Sequence, residues 1–308
     1  MLKKLKLIQL SFLSTFLFLS GSAFAQDSKF DRQVFVYEDT LDMEVFIPKK
    51  KRTELRPLLI YVHGGGFSVG TRDWGIKYCQ YFAKKGWVTA TITYHLTMKG
   101  QSFSCDQPVQ NKINTLLTAA QNVNQATAFL LNKKEEFLID SSRVVIVGSS
   151  AGAEAVLQAA YWKKSQENIL PKEFMYGGVI SMAGAILDLN WLTVDTAIPT
   201  ALFHGTCDRL VPFGAAAHHY CAPDNTGFMM FFGSDAIRKK LTRINKGYYF
   251  VGSCGGGHSW ASEPMSDKYI HFTDDFLRSD VMNNEERQIY IKLENQTNDC
   301  QTSIAFCD

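Results

Sequence analysis

The sequence lacks an excess of charge of either sign. It carries 32 lysines and arginines against 30 aspartates and glutamates in 308 residues. A surface without a basic surplus gives no electrostatic reason to expect nucleic acid or an anionic membrane as a partner. The composition therefore excludes no globular enzyme class, but it argues against a nucleic-acid-binding protein.

Beyond the N-terminus, the sequence also lacks an apolar run long enough to span a bilayer. Three lysines among the first six residues precede a mostly apolar run over 7–19, and Ala23 and Ala25 supply small residues before a cleavage point. This order is typical of a secretory signal peptide. We predict a signal peptide over 1–25, with an uncleaved anchor as the alternative, and a secreted or periplasmic protein without stable membrane anchoring.

Internal repeats and low-complexity linkers are absent as well. Removing the predicted signal peptide leaves 308 − 25 = 283 residues. A chain of this length can bury a substantial core within one unit. We therefore predict a single domain over 26–308.

The sequence does not decide which cysteines form disulfides. All seven cysteines follow the predicted signal peptide, at positions 79, 105, 207, 221, 254, 300 and 307. Export permits disulfides, and the odd count leaves at least one thiol unpaired. Cys300 and Cys307 are close enough in sequence to close a small loop, while Cys207 and Cys254 could pair with each other or either of them with Cys221. Cys79 and Cys105 are nearly as well explained as buried thiols.

Apolar, β-branched segments alternate with amphipathic ones after an antiparallel opening pair. Strands are predicted over 33–37, 41–48, 58–63, 88–94, 144–147, 178–182, 200–204 and 247–251. Helices are predicted over 75–85, 110–137, 154–164, 235–245 and 269–277, with one more running from 213 through the paired histidines. This alternation predicts a mostly parallel, eight-stranded sheet with helices on both faces.

A Gly-x-Ser-x-Gly turn stands between one of these strands and the helix that follows. Residues 144–147 form the strand, and Gly148-Ser149-Ser150-Ala151-Gly152 comes directly after it. Glycine is required at Gly148 and Gly152 because the strand and helix backbones pass too close for side chains. Such a corner lifts one hydroxyl above the sheet. Ser150 is therefore the candidate nucleophile, and an ordinary turn is the alternative.

A serine hydroxyl reacts only when a base takes its proton and an acid orients that base. Asp208 follows a predicted strand, and His258 lies after the last one, behind three glycines. With Ser150, they appear in the chain order Ser, Asp, His, which is the order of an α/β-hydrolase. We predict Asp208 as the acid and His258 as the base. His271, in the predicted terminal helix, is the rival base.

Consecutive glycines follow the strand over 58–63. Backbone amides in such a run can converge on one point, as an oxyanion requires. We predict an oxyanion hole from the amides of Gly65, Gly66 and Ala151, a plain turn being the alternative.

Aromatic residues stand close to both motifs. Phe67 follows the glycine run and Trp260 follows His258. We predict that both bind substrate, although each fits a core position equally well. A metal site from Cys207, His218, His219 and Cys221 matches no standard zinc spacing, so we expect no metal and no organic cofactor.

Taken together, these motifs resemble the α/β-hydrolase superfamily and, within it, the His-Gly-Gly-Gly carboxylesterases. The resemblance is most specific over 63–67, 148–152 and 204–212. It implies an α/β-hydrolase fold, and because residues 26–41 are too short for an N-terminal helical cap, we expect a small cap or none. It also implies a serine carboxylesterase that hydrolyses esters through an acyl-enzyme, with Ser150 as nucleophile, His258 as base and Asp208 as orienting acid.

The stretch over 208–212 resembles that of secreted feruloyl- and acetyl-esterases and of prolyl-peptidase-type hydrolases. Ser149 stands where the hormone-sensitive-lipase-like branch commonly has aspartate. The resemblance thus implies a small-molecule or saccharide-linked ester as substrate, such as acetyl or feruloyl esters of plant polysaccharide. A prolyl-type peptidase on the same fold and a non-catalytic binding protein are the alternatives.

Overall fold

The computed structural model describes residues 29–49, 53–294, 300, 306 and 307. The signal peptide predicted over 1–25 lies outside these residues. Within the described ranges, no helix is both long and apolar enough to cross a bilayer.

The described strands and helices follow one another in a regular order. The strands are β1 (Phe30–Glu38), β2 (Leu41–Pro48), β3 (Arg56–Val62), β4 (Val88–Ile92), β5 (Ile139–Ser149), β6 (Gly178–Met182), β7 (Ala185–Ile186), β8 (Thr200–Gly205), β9 (Ala215–Ala217), β10 (Met230–Gly233), β11 (Tyr248–Cys254) and β12 (Gln288–Glu294). The helices are α1 (Ile76–Lys84), α2 (Val109–Asn132), α3 (Lys134–Phe137), α4 (Ala151–Tyr161), α5 (Ser234–Arg243) and α6 (Ile270–Phe276).

Nine of the described strands form one sheet, in the order β1-β2-β4-β3-β5-β6-β8-β11-β12. The opening strands β1 and β2 pair antiparallel, as do β2 and β4, and all later pairs are parallel. The mostly parallel sheet predicted from the sequence is confirmed. The predicted count of eight is one short, because β12 adds a half-exposed strand beside β11.

Apolar side chains cover both faces of this sheet, since successive residues of a strand point to opposite sides. Leu58 and Ile60 belong to one apolar cluster, which includes buried residues of α2, α4 and α5. Leu59 and Tyr61, one position along, belong to a second cluster, which includes buried residues of α1 and α6. The prediction of helices on both faces is therefore confirmed. The same layering directs the carboxyl ends of the parallel strands to one edge, where ligands bind in such folds.

A small antiparallel sheet replaces the helix that was predicted from residue 213. Its strand order is β7-β10-β9. In the sequence, these three strands fall between β6 and β11. Ala216 pairs with Phe231, and the chain then makes a short 3₁₀ turn over His218–Tyr220. The helix prediction is wrong here because tertiary pairing with β10 overrides the helical preference of the alanines.

Six of the seven cysteines form disulfides. The pairs are Cys105–Cys221, Cys207–Cys300 and Cys254–Cys307, with Cα–Cα separations of 5.3, 4.8 and 5.6 Å. The small loop expected between Cys300 and Cys307 is not formed, because each pairs with a distant strand end. Cys79 is a buried free thiol.

Candidate active site

Ser150 lies at the corner between β5 and α4. Its backbone has φ 52° and ψ −122°, a region that costs a non-glycine residue about 1–3 kcal/mol. A Cβ on Gly148 would collide with the backbone of Gly152, and one on Gly152 would collide with the Val62 carbonyl. The close approach of strand and helix inferred from the two glycines is therefore present. It leaves Ser150 on a strained turn beyond the strand.

The neighbour of the Ser150 hydroxyl is His258. Ser150 Oγ lies 2.8 Å from His258 Nε2, so the hydroxyl can donate its proton to the ring. His258 begins a 3₁₀ turn three residues after Gly255, whose φ is 76°. A Cβ on Gly205 would collide with the backbone of Gly256, so the glycine loop packs directly on the end of β8. Glycine thus lets the loop bring the imidazole over the sheet edge.

Asp208 binds the other side of the same imidazole. His258 Nδ1 donates to Asp208 Oδ2 at 2.7 Å. The second oxygen, Oδ1, accepts from the amides of Leu210 at 2.8 Å and Val211 at 3.0 Å. His204 Nε2 also lies 3.2 Å from Oδ2. The carboxyl group is buried, yet both oxygens are satisfied.

The charge of Asp208 follows from these contacts. Burial acts to raise the pKa of its carboxyl, but hydrogen bonds from His204 and His258 outweigh it and hold the pKa well below its usual range. The carboxylate is therefore charged near neutral pH. A charged acceptor at Nδ1 fixes the proton there and leaves Nε2 free to accept from Ser150.

The glycine run after β3 lies beside the same hydroxyl. Gly65 has φ 110° and Gly66 has φ 60°, and both line one cavity with Ala151. Among the described residues, neither glycine N–H donates to another backbone group. Tyr94 Oη donates to the His63 carbonyl at 3.0 Å and supports the start of the run. The arrangement leaves amide donors available at the cavity wall.

The cavity that contains Ser150 has a volume of about 710 Å³. Its aromatic lining consists of Tyr61, Trp74 and Phe103. Polar side chains also reach it, and they include Glu154, His218, His219 and His258. The space is therefore large enough for a small organic molecule, and its lining is part aromatic and part polar.

Phe67 and Trp260, the two predicted substrate-binding residues, do not line this cavity. Phe67 is fully buried and packs against Phe103 at 4.8 Å. Trp260 is buried on the other face of the sheet and packs against Tyr269 at 5.1 Å. This part of the prediction is corrected. The glycine and histidine backbones face the cavity, while these large apolar side chains gain more by turning into the core.

The structure also gives the positions of the rival base and of the cysteines considered for a metal site. His271, the rival base, is exposed on α6 and lies outside the cavity. The cysteines weighed as metal ligands, Cys207 and Cys221, belong to two different disulfides.

Glu154 is a cavity residue that the sequence reasoning missed. It lies in the first turn of α4, is 1% exposed, and its Oε1 lies 3.1 Å from His218 Nε2. The signal was present, since Glu154 is the one charged residue of the apolar segment over 151–161. A charge inside an apolar helix is rarely buried without a specific reason.

This sheet, with a strained serine at its central strand–helix corner, has the architecture of the α/β-hydrolase fold. Residues 43–190 match the BD-FAE family. That stretch includes the glycine run and the Ser150 corner, but ends before Asp208 and His258.

Curated relatives with similar sequences are esterases and lipases. Gut esterase 1 of Caenorhabditis elegans is 32% identical over 123 residues, which is 39% of this chain and 21% of the relative. Juvenile hormone esterase of Tribolium castaneum is 27% identical over 152 residues, covering 49% and 24%. Secreted lipase 5 of Gibberella zeae is 27% identical over 173 residues, covering 52% and 30%. The chain thus spans less than a third of the length of these relatives.

Solved structures match over more of the chain. Esterase 2 of Thermogutta terrifontis, phosphoramylated by tabun, aligns with a TM-score of 0.58 and 17% identity, covering 80% of this chain and 94% of that one. Its butyrate-bound form aligns with a TM-score of 0.55 and 17% identity, covering 80% and 93%. These matches establish the α/β-hydrolase fold.

Proposed function

We propose that this protein is a serine carboxylesterase. The observation that carries the proposal is the continuous hydrogen-bonded chain from Ser150 Oγ through His258 to Asp208, with contacts of 2.8 and 2.7 Å. Such a chain activates a hydroxyl for attack on a carbonyl carbon. The esterase names among the relatives support the same reaction class.

In the proposed acylation step, Ser150 Oγ attacks the ester carbonyl while His258 Nε2 takes the hydroxyl proton. The tetrahedral oxyanion accepts hydrogen bonds from the amides of Gly65, Gly66 and Ala151. Collapse of this intermediate breaks the bond to the alcohol, and His258 returns the proton to the departing oxygen. Asp208 stabilises the imidazolium that exists between these two transfers.

Deacylation repeats the sequence with water as the nucleophile. His258 removes a proton from the water as its oxygen attacks the acyl-enzyme carbonyl, and then returns the proton to Ser150. The products are one carboxylic acid and one alcohol, so the overall step is a hydrolysis. None of these steps needs a metal or an organic cofactor.

We further propose that the protein is exported and that its substrate is a small or saccharide-linked ester, such as an acetyl or feruloyl ester. The three disulfides support export, because such bonds persist in oxidising compartments. The secreted lipase among the relatives agrees with export.

The deciding experiment is Ser150→Ala, assayed on a short-chain aryl ester. We expect turnover to fall by at least about a thousandfold while the circular dichroism spectrum stays unchanged. Ser142→Ala, in the exposed part of β5, is the matched control and should keep full activity. Undiminished activity of the Ser150 variant would overturn the assignment.

Covalent labelling separates an esterase from a binding protein on the same fold. Esterase 2 has been solved phosphorylated by paraoxon and phosphonylated by sarin. A serine-directed phosphonate should likewise add to Ser150 here, as peptide mass spectrometry would detect. A peptidase would be labelled too, so hydrolysis of aryl esters against prolyl peptide amides distinguishes the two enzymes.

A further inference from the structure

Two buried polar side chains of the cavity wall have atoms without hydrogen-bond partners. Glu154 and His218 are each 1% exposed. Within the described part of the chain, Glu154 Oε1 and His218 Nδ1 have no hydrogen-bond partner. Oε1 lies 3.1 Å from His218 Nε2, but the two groups are not aligned as a hydrogen bond. Both side chains line the cavity that contains Ser150.

The His218 ring has largely aromatic surroundings. The His218 ring packs edge-on against Phe103 at 5.1 Å and against Phe231 at 4.7 Å. A buried polar atom without a partner destabilises the folded state. Apolar residues at these two positions would fill the same space without that cost. A polar pair at the wall of a binding cavity therefore suits a ligand that supplies the missing hydrogen bonds.

The charges around the pair narrow the chemistry of that ligand. Lys112 Nζ is held by the Gly227 carbonyl at 2.9 Å and lies 5.6 Å from the centre of the Phe103 ring. This fixed cation disfavours a cationic ligand group, and the Glu154 carboxyl offers an anionic group no positive partner. A neutral group that both donates and accepts fits best, and a hydroxyl is the smallest such group.

The protonation of the pair agrees with a neutral ligand group. Burial raises the pKa of the Glu154 carboxyl to about 8, and burial lowers the pKa of His218. Both shifts favour uncharged side chains near neutral pH. The terminal torsion of a glutamate is broad, so the Glu154 carboxyl can turn an oxygen toward the cavity.

The position of Glu154 places the pair close to Ser150 in the chain. The Glu154 amide donates to the Ser150 carbonyl at 3.0 Å, so the two residues lie one helical turn apart. A group bound by the pair would therefore belong to the substrate and lie a few bonds from the ester.

We propose that Glu154 and His218 bind a hydroxyl group of the substrate, and that the enzyme prefers esters with a free hydroxyl near the scissile bond. This inference rests on the proposed ester hydrolysis and deepens it. The hydroxyl can come from the acyl or from the alcohol side of the ester, and the chemistry of its recognition is the same.

Matched ester pairs test the proposal and identify the side. Methyl 3-hydroxybutyrate and methyl butyrate differ by one hydroxyl on the acyl side. The corresponding pair on the alcohol side is 3-hydroxypropyl acetate and propyl acetate. For the wild type we expect kcat/KM to favour the hydroxylated ester by about tenfold in one pair, because an unmade buried hydrogen bond penalises the other ester.

Substitution of Glu154 assigns the preference to this site. In Glu154→Leu, the kcat/KM of the hydroxylated ester should lie within about twofold of the kcat/KM of its matched partner. The preference should be lost mainly through a raised KM for the hydroxylated ester. Glu154→Gln keeps the side-chain shape and should show an intermediate ratio. Glu44→Gln is the matched control, since Glu44 is also fully buried but binds Arg72 Nη1 at 2.7 Å and lies outside the cavity. It should keep the wild-type ratio.

Two results would overturn the inference alone: equal kcat/KM values in both pairs for an active wild type, or a Glu154→Leu variant that slows both members of a pair equally. The second result would indicate a structural role, and the thermal midpoint of each variant identifies it. Failure to hydrolyse any of the four esters, or hydrolysis that survives Ser150→Ala, would instead overturn the proposed function and this inference with it.

Discussion

His204 Nε2 lies 3.2 Å from Asp208 Oδ2, the same oxygen that accepts a hydrogen bond from His258 Nδ1. The other ring nitrogen of His204 lies 2.9 Å from Ser234 Oγ on α5, and the His204 side chain is fully buried. Asp208 is thereby fixed from two sides, by a buried imidazole and by the imidazole of the proposed base. The position of the carboxylate is set by the core, and His258 aligns to it.

Asp208→Asn tests the role of this carboxylate in turnover. The amide keeps the size of the side chain but removes the charge and can hold the imidazole in the wrong tautomer, so kcat should fall by about a thousandfold or more with little change in KM. The assay is steady-state hydrolysis of an aryl ester. Asp224→Asn, at an exposed loop position, should retain wild-type kinetics. A variant that keeps a tenth of the wild-type kcat would contradict the assigned role.

The same carboxylate should make stability depend on pH in the acid range. Since hydrogen bonds outweigh burial and lower the pKa of Asp208 in the folded state, its contribution is present above the unfolded pKa of about 4 and is lost as pH falls further. The gap between the calorimetric midpoints of wild type and Asp208→Asn should therefore start to narrow as the pH falls from 5 to 3. A constant gap over that interval would argue against a charged, stabilising Asp208.

The contribution of Glu154 to stability should depend on pH in the opposite direction, falling as the pH rises. Burial raises its pKa to about 8, so the folded state holds a proton that the unfolded chain releases above about pH 4.5. Its contribution is complete below that value and is lost as pH rises toward 8. Glu154→Gln removes this titration, so its midpoint relative to wild type should rise from pH 5 to pH 8. An unchanged difference at the two pH values would show that Glu154 titrates normally.

Much of this architecture could be predicted because the decisive signals are local. The corner at Ser150 needs glycines at fixed spacing, and the loop before His258 needs several in a row. Parallel strands end at one sheet edge, so residues that follow different strands were expected to meet there. The structure brings Ser150, Asp208 and His258 into one hydrogen-bonded chain, and their catalytic roles stay a prediction.

The predictions that were wrong have a common physical cause. In each case the local sequence allows two structures, and contacts with distant parts of the chain decide between them. Phe67 and Trp260 follow cavity-lining loops, but whether a side chain turns outward or into the core depends on packing partners far away in sequence. The alanines of β9 are good helix formers, and pairing with β10 decides their state. Strand β12 alternates apolar and polar residues in a recognisable way, yet its partner lies about 40 residues earlier.

The disulfides depend on the same kind of long-range geometry, and they give the last prediction. Cys254 ends the strand before the His258 loop and pairs with Cys307, 53 residues later, while Cys207, next to Asp208, pairs with Cys300. Replacing Cys254 and Cys307 together by serine should lower the unfolding free energy by about 2–4 kcal/mol, because the unfolded chain regains loop entropy. Unfolding in denaturant would measure the loss. The expected pairing is checked by titrating thiols in the unfolded, unreduced wild type, where Cys79 alone should react; three reactive thiols would show that one of the three bonds is absent.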